Sequence, residues 1–211
     1  RHTRFMSVSW ARMCIRDSTH LVPEELEQLE RLSLTGKHMK LQKSLDAFLF
    51  CCYAGMRYSD FTNLSKKNIV GINQETWLIY KSVKTGTEVR LPLYLLFAGK
   101  GIVILNKYRN NLEDFFRLRD NSNINKDLII IAKLAGLSKK ISFHTARHTN
   151  ATLLIYNGVN ITTVQKLLGH KSVKTTQVYT NIMDMTIVHD LEKMKQAALG
   201  IKKKTDNSFN K

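Results

Sequence analysis

A short stretch of β-forming residues interrupts a chain whose other periodic segments are helical. Ile69–Ile72 and residues 76–80 are rich in β-branched and aromatic side chains, and residues 88–91 alternate polar and apolar ones. Between the last two runs, residues 83–87 contain a glycine, which tight turns often require. We therefore predict an α+β fold, a mostly helical domain with a small antiparallel sheet and hairpin on one side.

Helical signals occupy most of the remaining sequence. Pro23 followed by two glutamates is typical of a helix start. Apolar residues such as Leu45 and Phe48 recur at helical spacing, so we predict a helix over residues 40–54 with one inward face, closed by Gly55. Further helices are predicted over residues 126–135, 145–157, 161–168 and 184–198, with a short one that holds Tyr179 and a polar break at residues 121–125.

The net charge of the chain points to its partners. It is +16 over 211 residues. The arginines of residues 1–20 and the lysines of residues 201–211 contribute to it, yet residues 21–200 keep a clear excess of positive charge. Such an excess indicates a polyanionic partner, with nucleic acid favoured over a membrane surface. A basic protein without such a partner is the alternative.

The cysteines and apolar runs indicate a cytoplasmic protein with no membrane association. Cys51 and Cys52 lie in an apolar run and are interpreted as buried, reduced thiols, and no cysteine has metal-ligand spacing. No apolar run reaches the length of a membrane span, and no secretory signal is present. We expect one domain over residues 21–200. Residues 1–20 are expected to be a non-native or linker segment without order, and residues 201–211 a basic tail.

Residues 142–149 place basic side chains at a predicted helix start. His144 and Arg147 are three residues apart, so both project to one side of the helix, whose amino end favours an anion. A phosphate there would meet a guanidinium fork and an imidazole together. Two other interpretations remain open. One is a solvated basic face, and the other is a metal pair of His144 and His148, for which no carboxylate or thiolate lies nearby in sequence.

Residues 167–179 bring a histidine and a tyrosine to a second helix break. Gly169 can end one helix and present His170, Ser172 can cap the next helix, and Tyr179 would then lie about two turns into it. A lone tyrosine at such a position is commonly a core or edge residue. The histidine, lysines and hydroxyls near it favour a reactive phenol instead.

Together these segments resemble the signature of the tyrosine recombinases, the phage integrase family. The matching stretches are residues 54–60, residues 144–148, residues 168–170 with Tyr179 nine residues after His170, and Lys84 before Thr85 and Gly86, which resembles the family's β-hairpin lysine. The resemblance covers about residues 22–198, which is the family's catalytic domain. The sequence of residues 169–179 is similar to that of the corresponding segment in integrases of bacterial mobile elements.

The resemblance implies that the protein cuts and rejoins DNA in site-specific recombination through a 3′-phosphotyrosine intermediate. Arg57 and Arg147 would hold the scissile phosphate and offset charge in the transition state. Tyr179 would attack phosphorus and leave a free 5′-hydroxyl. Because the phosphotyrosine retains the energy of the ester, rejoining would need neither ATP nor a metal, and no cofactor is expected.

The other residues of the set would move protons or orient the site. Lys84 would protonate the leaving 5′ oxygen, and Lys81 competes for that role but does not stand just before the turn. His144 would act as a base or hydrogen-bond donor, and His170 would bind a phosphate oxygen. Asp60 resembles the family's acidic partner that orients this site. The ordinary alternatives are a surface ion pair for the aspartate and a solvated side chain for the lysine.

Two residues and one domain depart from the family pattern. Asn150 stands where many relatives carry phenylalanine, so it needs a hydrogen-bond partner if it is buried. Asn181 stands where histidine is frequent. Family members usually carry an amino-terminal helical domain that closes around DNA, for which this chain has no room. We therefore expect a catalytic-domain fragment or truncated reading frame with a weaker grip on DNA.

The expected partner is double-stranded DNA, bound by a homo-oligomer such as a tetrameric synapse. The last predicted helix would either pack on its own domain or dock into a neighbouring protomer, and its apolar residues are Ile187, Leu191, Met194 and Ala198. Three alternative functions remain: a non-catalytic DNA-binding remnant of a mobile-element integrase, a type IB topoisomerase-like enzyme, and a metal-free ribonuclease that uses His144 and His170.

Overall fold

The structure of the protein is a computed structural model, and it describes residues 20–179. Its α-helices are, in chain order, α1 Pro23–Glu30, α2 Gln42–Ala54, α3 Tyr58–Thr62, α4 Lys100–Lys107, α5 Leu112–Phe116, α6 Asn121–Leu134, α7 Phe143–Tyr156, α8 Ile161–Leu168 and α9 Lys174–Gln177. The strands are β1 Ile69–Ile72, β2 Glu75–Lys81 and β3 Glu88–Pro92. Short 3-10 segments cover Gly36–Leu41, Lys66–Asn68 and Leu96–Gly99. The predicted α+β fold is confirmed.

Helix α2 forms the centre of the hydrophobic core. Every residue from 44 to 54 is buried, because α2 packs along α7 and also against α4, α5 and α6. The predicted single inward face is therefore wrong, since neighbouring helices cover α2 on all sides. Two buried polar residues of α2 are hydrogen-bonded to neighbouring helices or the segment after α4. Ser44 Oγ donates to Asp127 Oδ2 at 2.6 Å, and the Tyr108 hydroxyl donates to Asp46 Oδ2 at 2.8 Å.

The sheet is antiparallel in the order β1-β2-β3 and turns one face toward the core. Tyr80 pairs with Val89 in register, and the alternation of the strands buries both. The turn between β2 and β3 is closed by two backbone hydrogen bonds. The Ser82 N–H donates to Thr87 O at 2.9 Å, and the Gly86 N–H donates to Ser82 O at 2.8 Å. The predicted hairpin is therefore present, with residues 83–87 at its tip.

Two predicted helix boundaries are wrong. The polar stretch at residues 121–125 is the first part of α6 and not a break, because Asp120 caps the helix by accepting from the Asn123 N–H at 3.1 Å. Helix α9 ends at Gln177, so Tyr179 lies two residues beyond it and not two turns inside it. Ser172 does accept from the backbone N–H of Lys174, at 3.2 Å.

Other predictions fall outside the described residues. These are the predicted linker over residues 1–20 except its last residue, the tail over residues 201–211, the helix over residues 184–198, and Asn181. Within the described part of the chain, no helix combines the length and hydrophobicity needed to traverse a bilayer.

Asn150 closes the carboxyl end of α2. It is buried, and its Nδ2 donates to the carbonyl oxygens of Cys52 and Tyr53, both at 2.9 Å. The last carbonyls of a helix have no partner within the helix, so this side chain satisfies groups that would otherwise be buried without one. The expected partner of Asn150 is thus the backbone of α2. The chain then turns at Gly55, whose φ is +66°.

We predict that Gly55→Ala destabilises the protein more than Gly136→Ala does. Both glycines have a positive φ, which costs an alanine about 1–2 kcal/mol. A Cβ on Gly55 would also lie 2.6 Å from Asn150 Oδ1, whereas nothing lies within 4 Å of one on Gly136. The overpacking should cost Gly55→Ala a further 1–3 kcal/mol, roughly. Denaturant unfolding measures both variants, and equal losses would show that Asn150 does not constrain this turn.

Candidate active site

Arg147 lies at the centre of the candidate site. It projects from the second turn of α7 and is 1% exposed. Its Nη1 donates to Gly55 O at 2.7 Å and its Nη2 donates to Leu168 O at 2.6 Å. Burial, and secondly the charge of Arg57, lower the pKa of Arg147 to about 10, so the guanidinium remains charged at neutral pH. This one side chain therefore joins the segment before Arg57 to the segment before His170.

Arg57 is held by a small polar network between α3 and the hairpin. Its Nη1 lies 3.5 Å from Asp60 Oδ2 and 3.3 Å from Ser82 Oγ. Asp60 is almost fully buried and accepts from Ser82 Oγ at 3.2 Å and from the Val83 N–H at 2.8 Å. Charge-assisted bonds of this kind fix a guanidinium in direction as well as in position. Asp60 therefore orients Arg57 and also fastens the start of the hairpin turn to α3.

Lys84 stands exposed at the tip of the hairpin, near His144. Burial lowers the pKa of His144 most, followed by the charges of Arg147, Arg57 and Lys84. These four groups are thus close enough to interact electrostatically. Lys81 is the last residue of β2, opposite Glu88. Strand alternation places it on the face opposite to Ser82 and Tyr80, which supports Lys84 over Lys81.

The rings of two histidines lie between the start of α7 and the Tyr179 ring. The rings of His144 and His148 meet edge to face with centroids 4.4 Å apart, and His148 lies 5.4 Å from the ring of Tyr179. Burial, then the charges of His144 and Arg147, lower the pKa of His148 to about 4. Burial raises the pKa of Tyr179, while the charges of Arg147 and Arg57 lower it. The phenol therefore lies within the field of both arginines.

His170 is fixed at the break after α8. Gly169 has a φ of +62° and turns the chain, and the Nδ1 of His170 lies 2.9 Å from Thr176 Oγ1. The backbone N–H of His170 donates to Gln165 O at 3.0 Å, and its carbonyl accepts from Gln165 Nε2 at 3.1 Å. Burial, then the charges of Arg147 and Arg57, lower the pKa of His170 to about 4. Its ring is therefore neutral at pH 7.

The structure brings all six predicted site residues into one region, with Asp60 beside them. The two arginine charges act on His144, on His170 and on the Tyr179 phenol, and the Lys84 charge acts on His144. Such a set can hold a phosphate by its non-bridging oxygens and supply both proton donors and proton acceptors. Among the described residues, His, Cys, Asp and Glu form no group of three that could hold a metal ion.

Comparison with known proteins decides the family. A sequence model of the phage integrase family matches residues 20–185. The chain belongs to the phage integrase family. Two similar relatives are tyrosine recombinase XerC of Rickettsia prowazekii (strain Madrid E), 29% identical over 192 residues, and a tyrosine recombinase of Pseudothermotoga lettingae, 30% identical over 181 residues. The alignments cover 86% and 83% of this chain, and the chain spans 60% of the length of each relative.

Solved structures support the same fold for this phage integrase family member. The crystal structure of XerA recombinase has a TM-score of 0.61 at 26% identity, with 81% of this chain and 64% of that one covered. XerH site-specific recombinase, in a post-cleavage complex with a palindromic difH substrate, has a TM-score of 0.59 at 22% identity, with 85% and 52% covered. The predicted resemblance to the tyrosine recombinases is therefore confirmed.

Three further residues of this phage integrase site make contacts that sequence reasoning did not predict. Ser82 links Arg57 to Asp60, Thr176 bonds His170, and His148 packs on Tyr179. The only sequence signal for Ser82 is its place two residues after Tyr80, on the buried face of the strand. His148 belongs to the matching stretch at residues 144–148, but its contact with Tyr179 was not predicted. Thr176 is one of the hydroxyl residues near Tyr179, and nothing in the sequence shows that it bonds His170.

We predict that the free energy of unfolding falls less on acidification in His170→Gln than in the wild type. The folded pKa of His170 is about 4 and its ordinary value is 6.5, so between these values the unfolded chain binds more protons. Stability therefore falls as the pH is lowered from 6.5 to 4. Glutamine can keep a hydrogen bond to Thr176 but does not titrate. Urea unfolding from pH 8 to pH 4 measures both slopes, and parallel profiles would contradict the buried neutral state of this histidine.

Proposed function

We propose that this protein cleaves and rejoins DNA strands in site-specific recombination, with Tyr179 as the nucleophile and a 3′-phosphotyrosine intermediate. The observation that carries the proposal is the position of Arg147. Its guanidinium is fixed by two backbone carbonyls, and its charge acts on Arg57, His144, His170 and Tyr179 alike. A phosphodiester bound to this group would have a phenol, a second arginine and two imidazoles within reach.

The two arginines bind the scissile phosphate. A guanidinium has five N–H groups, and Arg147 donates one from each terminal nitrogen to a carbonyl, so each of these nitrogens keeps a second hydrogen. Arg57 is oriented through Asp60 and Ser82. Both cations are in place before any substrate binds, so they stabilise the charge of the transition state with little reorganisation.

Bond making and breaking then use the remaining groups. The Tyr179 oxygen attacks phosphorus, its proton passes to His144, and the bond from phosphorus to the 5′ oxygen breaks. Lys84 gives a proton to that oxygen, which leaves as a 5′-hydroxyl. Rejoining runs in reverse, with a 5′-hydroxyl as nucleophile and the phenol as leaving group. The pKa of His144 is lowered, so its neutral form, which is the form that can accept a proton, prevails at pH 7.

The wider assembly belongs to the same proposal. Double-stranded DNA is the substrate that fits a net charge of +16. A tetrameric synapse built through the helix at residues 184–198 stays a prediction, and that helix lies outside the described residues. The expected cytoplasmic location and the origin of the chain in a mobile element also stay predictions.

We predict that Tyr179→Phe abolishes covalent attachment to DNA, because phenylalanine lacks the attacking oxygen. The substrate is a library of labelled, nicked duplexes with random sequence around the nick, from which a short cleaved strand can diffuse away and trap the adduct. Denaturing electrophoresis detects the protein–DNA species. Tyr94→Phe is the matched control, since Tyr94 packs on Trp77 in the sheet region and should leave the adduct unchanged.

Three results would contradict this function. An adduct that persists in Tyr179→Phe would assign the nucleophile elsewhere. DNA binding by the wild-type chain without any adduct would favour the non-catalytic remnant. Relaxation of supercoiled plasmid at no particular site would instead favour the topoisomerase-like alternative.

A further inference from the structure

The hairpin tip is bonded to α3 through the Val83 N–H and Asp60, and a second hydrogen bond, from a threonine side chain, joins it to the backbone after α8. Thr85 Oγ1 donates to Gly169 O at 3.1 Å. Thr85 directly follows Lys84, and Gly169 directly precedes His170. The bond therefore joins the two chain segments that carry the lysine and the second histidine of the site, although they are far apart in sequence.

The acceptor of this bond lies in a rigid part of the backbone. Leu168 O, one residue earlier, accepts from Arg147 at 2.6 Å, and the N–H of His170, one residue later, donates to Gln165 O at 3.0 Å. A Cβ on Gly169 would lie 2.6 Å from Val89 Cγ2, so β3 packs directly on this backbone. Gly169 O thus offers a fixed point to which the hairpin can be tied.

The donor is also oriented. Thr85 lies in a turn closed by the backbone bonds of Ser82 with Thr87 and Gly86, and its Oγ1 accepts from the Thr87 N–H at 3.4 Å. Lys84 in the same turn is exposed. A lysine with four rotatable bonds loses about 2 kcal/mol of rotamer freedom when it is held in one place. A fixed backbone at Lys84 reduces the number of positions that its ammonium group can take.

We propose that Thr85 is a positioning residue for Lys84. Its hydroxyl latches the hairpin tip to Gly169 and so holds the ammonium group at the leaving 5′ oxygen. The inference rests on the proposed function, and it adds a residue that acts only on the protonation of the leaving group. Loss of the latch should therefore affect that one step and leave phosphate binding intact.

A substrate with sulfur in place of the bridging 5′ oxygen tests this directly. A thiolate is a much weaker base than an alkoxide, so it leaves without a proton from Lys84. Thr85→Val keeps the shape and the β-branch of threonine but removes the donor. It should slow adduct formation about 10- to 100-fold on the oxygen substrate, as expected for a misplaced acid, and should stay near wild type on the sulfur substrate.

Three further variants sharpen the experiment. Thr85→Ser keeps the hydroxyl and should restore most of the rate on the oxygen substrate. Lys84→Ala should show the same selective rescue by sulfur, with a larger loss on oxygen. Thr87→Val makes the same substitution in the same turn without removing a bond to Gly169, so both rates should be unchanged. Thermal unfolding of Thr85→Val should match the wild type to within a few degrees.

The possible failures are distinguishable. An equal loss on both substrates, or no loss on either, would overturn the role of Thr85 while Lys84→Ala still reports on the acid. Absence of any adduct from the wild-type chain on both substrates would instead count against the proposed function itself.

Discussion

The buried guanidinium of Arg147 is the interaction on which the site depends. A buried charge is costly unless it is hydrogen-bonded, and here the acceptors are the carbonyls of Gly55 and Leu168. Both carbonyls lie at carboxyl ends of helices, α2 and α8, where the helix dipole favours a cation. After each end a glycine with positive φ turns the chain, and a functional residue follows within two positions. One side chain thus gathers two helix ends that each present a catalytic candidate.

The positive charges of the arginines also help to set the protonation state of the histidines. Burial and the arginine charges lower the pKa of His144, His148 and His170, so all three rings are neutral at pH 7 without substrate. A bound phosphate would offset the arginine charges and raise these pKa values. The histidines would therefore accept protons more readily when a phosphate is present than when the site is empty. The pKa values of the histidines therefore depend on whether a phosphate is bound in the site.

Local signals predicted much of the fold, the resemblance to the family supplied the six candidate site residues, and long-range contacts stayed hidden. Gly55 and Gly169 mark helix ends because only glycine fits those angles easily, so both helix ends could be predicted. Ser82 and Thr176 bond motif residues, but an isolated hydroxyl has no pattern in sequence that would show which residue it bonds. The start of α6 was missed because its first turn is polar and its cap, Asp120, looks like part of a loop. The complete burial of α2 depends on helices that come much later in the chain.

The double role that we propose for Arg147, as phosphate ligand and as structural link, is tested most directly by a substrate with a neutral phosphate. A methylphosphonate at the scissile position removes the charge that an arginine must offset. Adduct formation by Arg57→Ala should be lost on the natural diester and largely recovered on the methylphosphonate. Arg147→Ala should form little adduct on either substrate. It should also unfold at a lower temperature than the wild type, since two helix ends lose the donor that they share. Full recovery by Arg147→Ala, with unchanged thermal stability, would contradict the account.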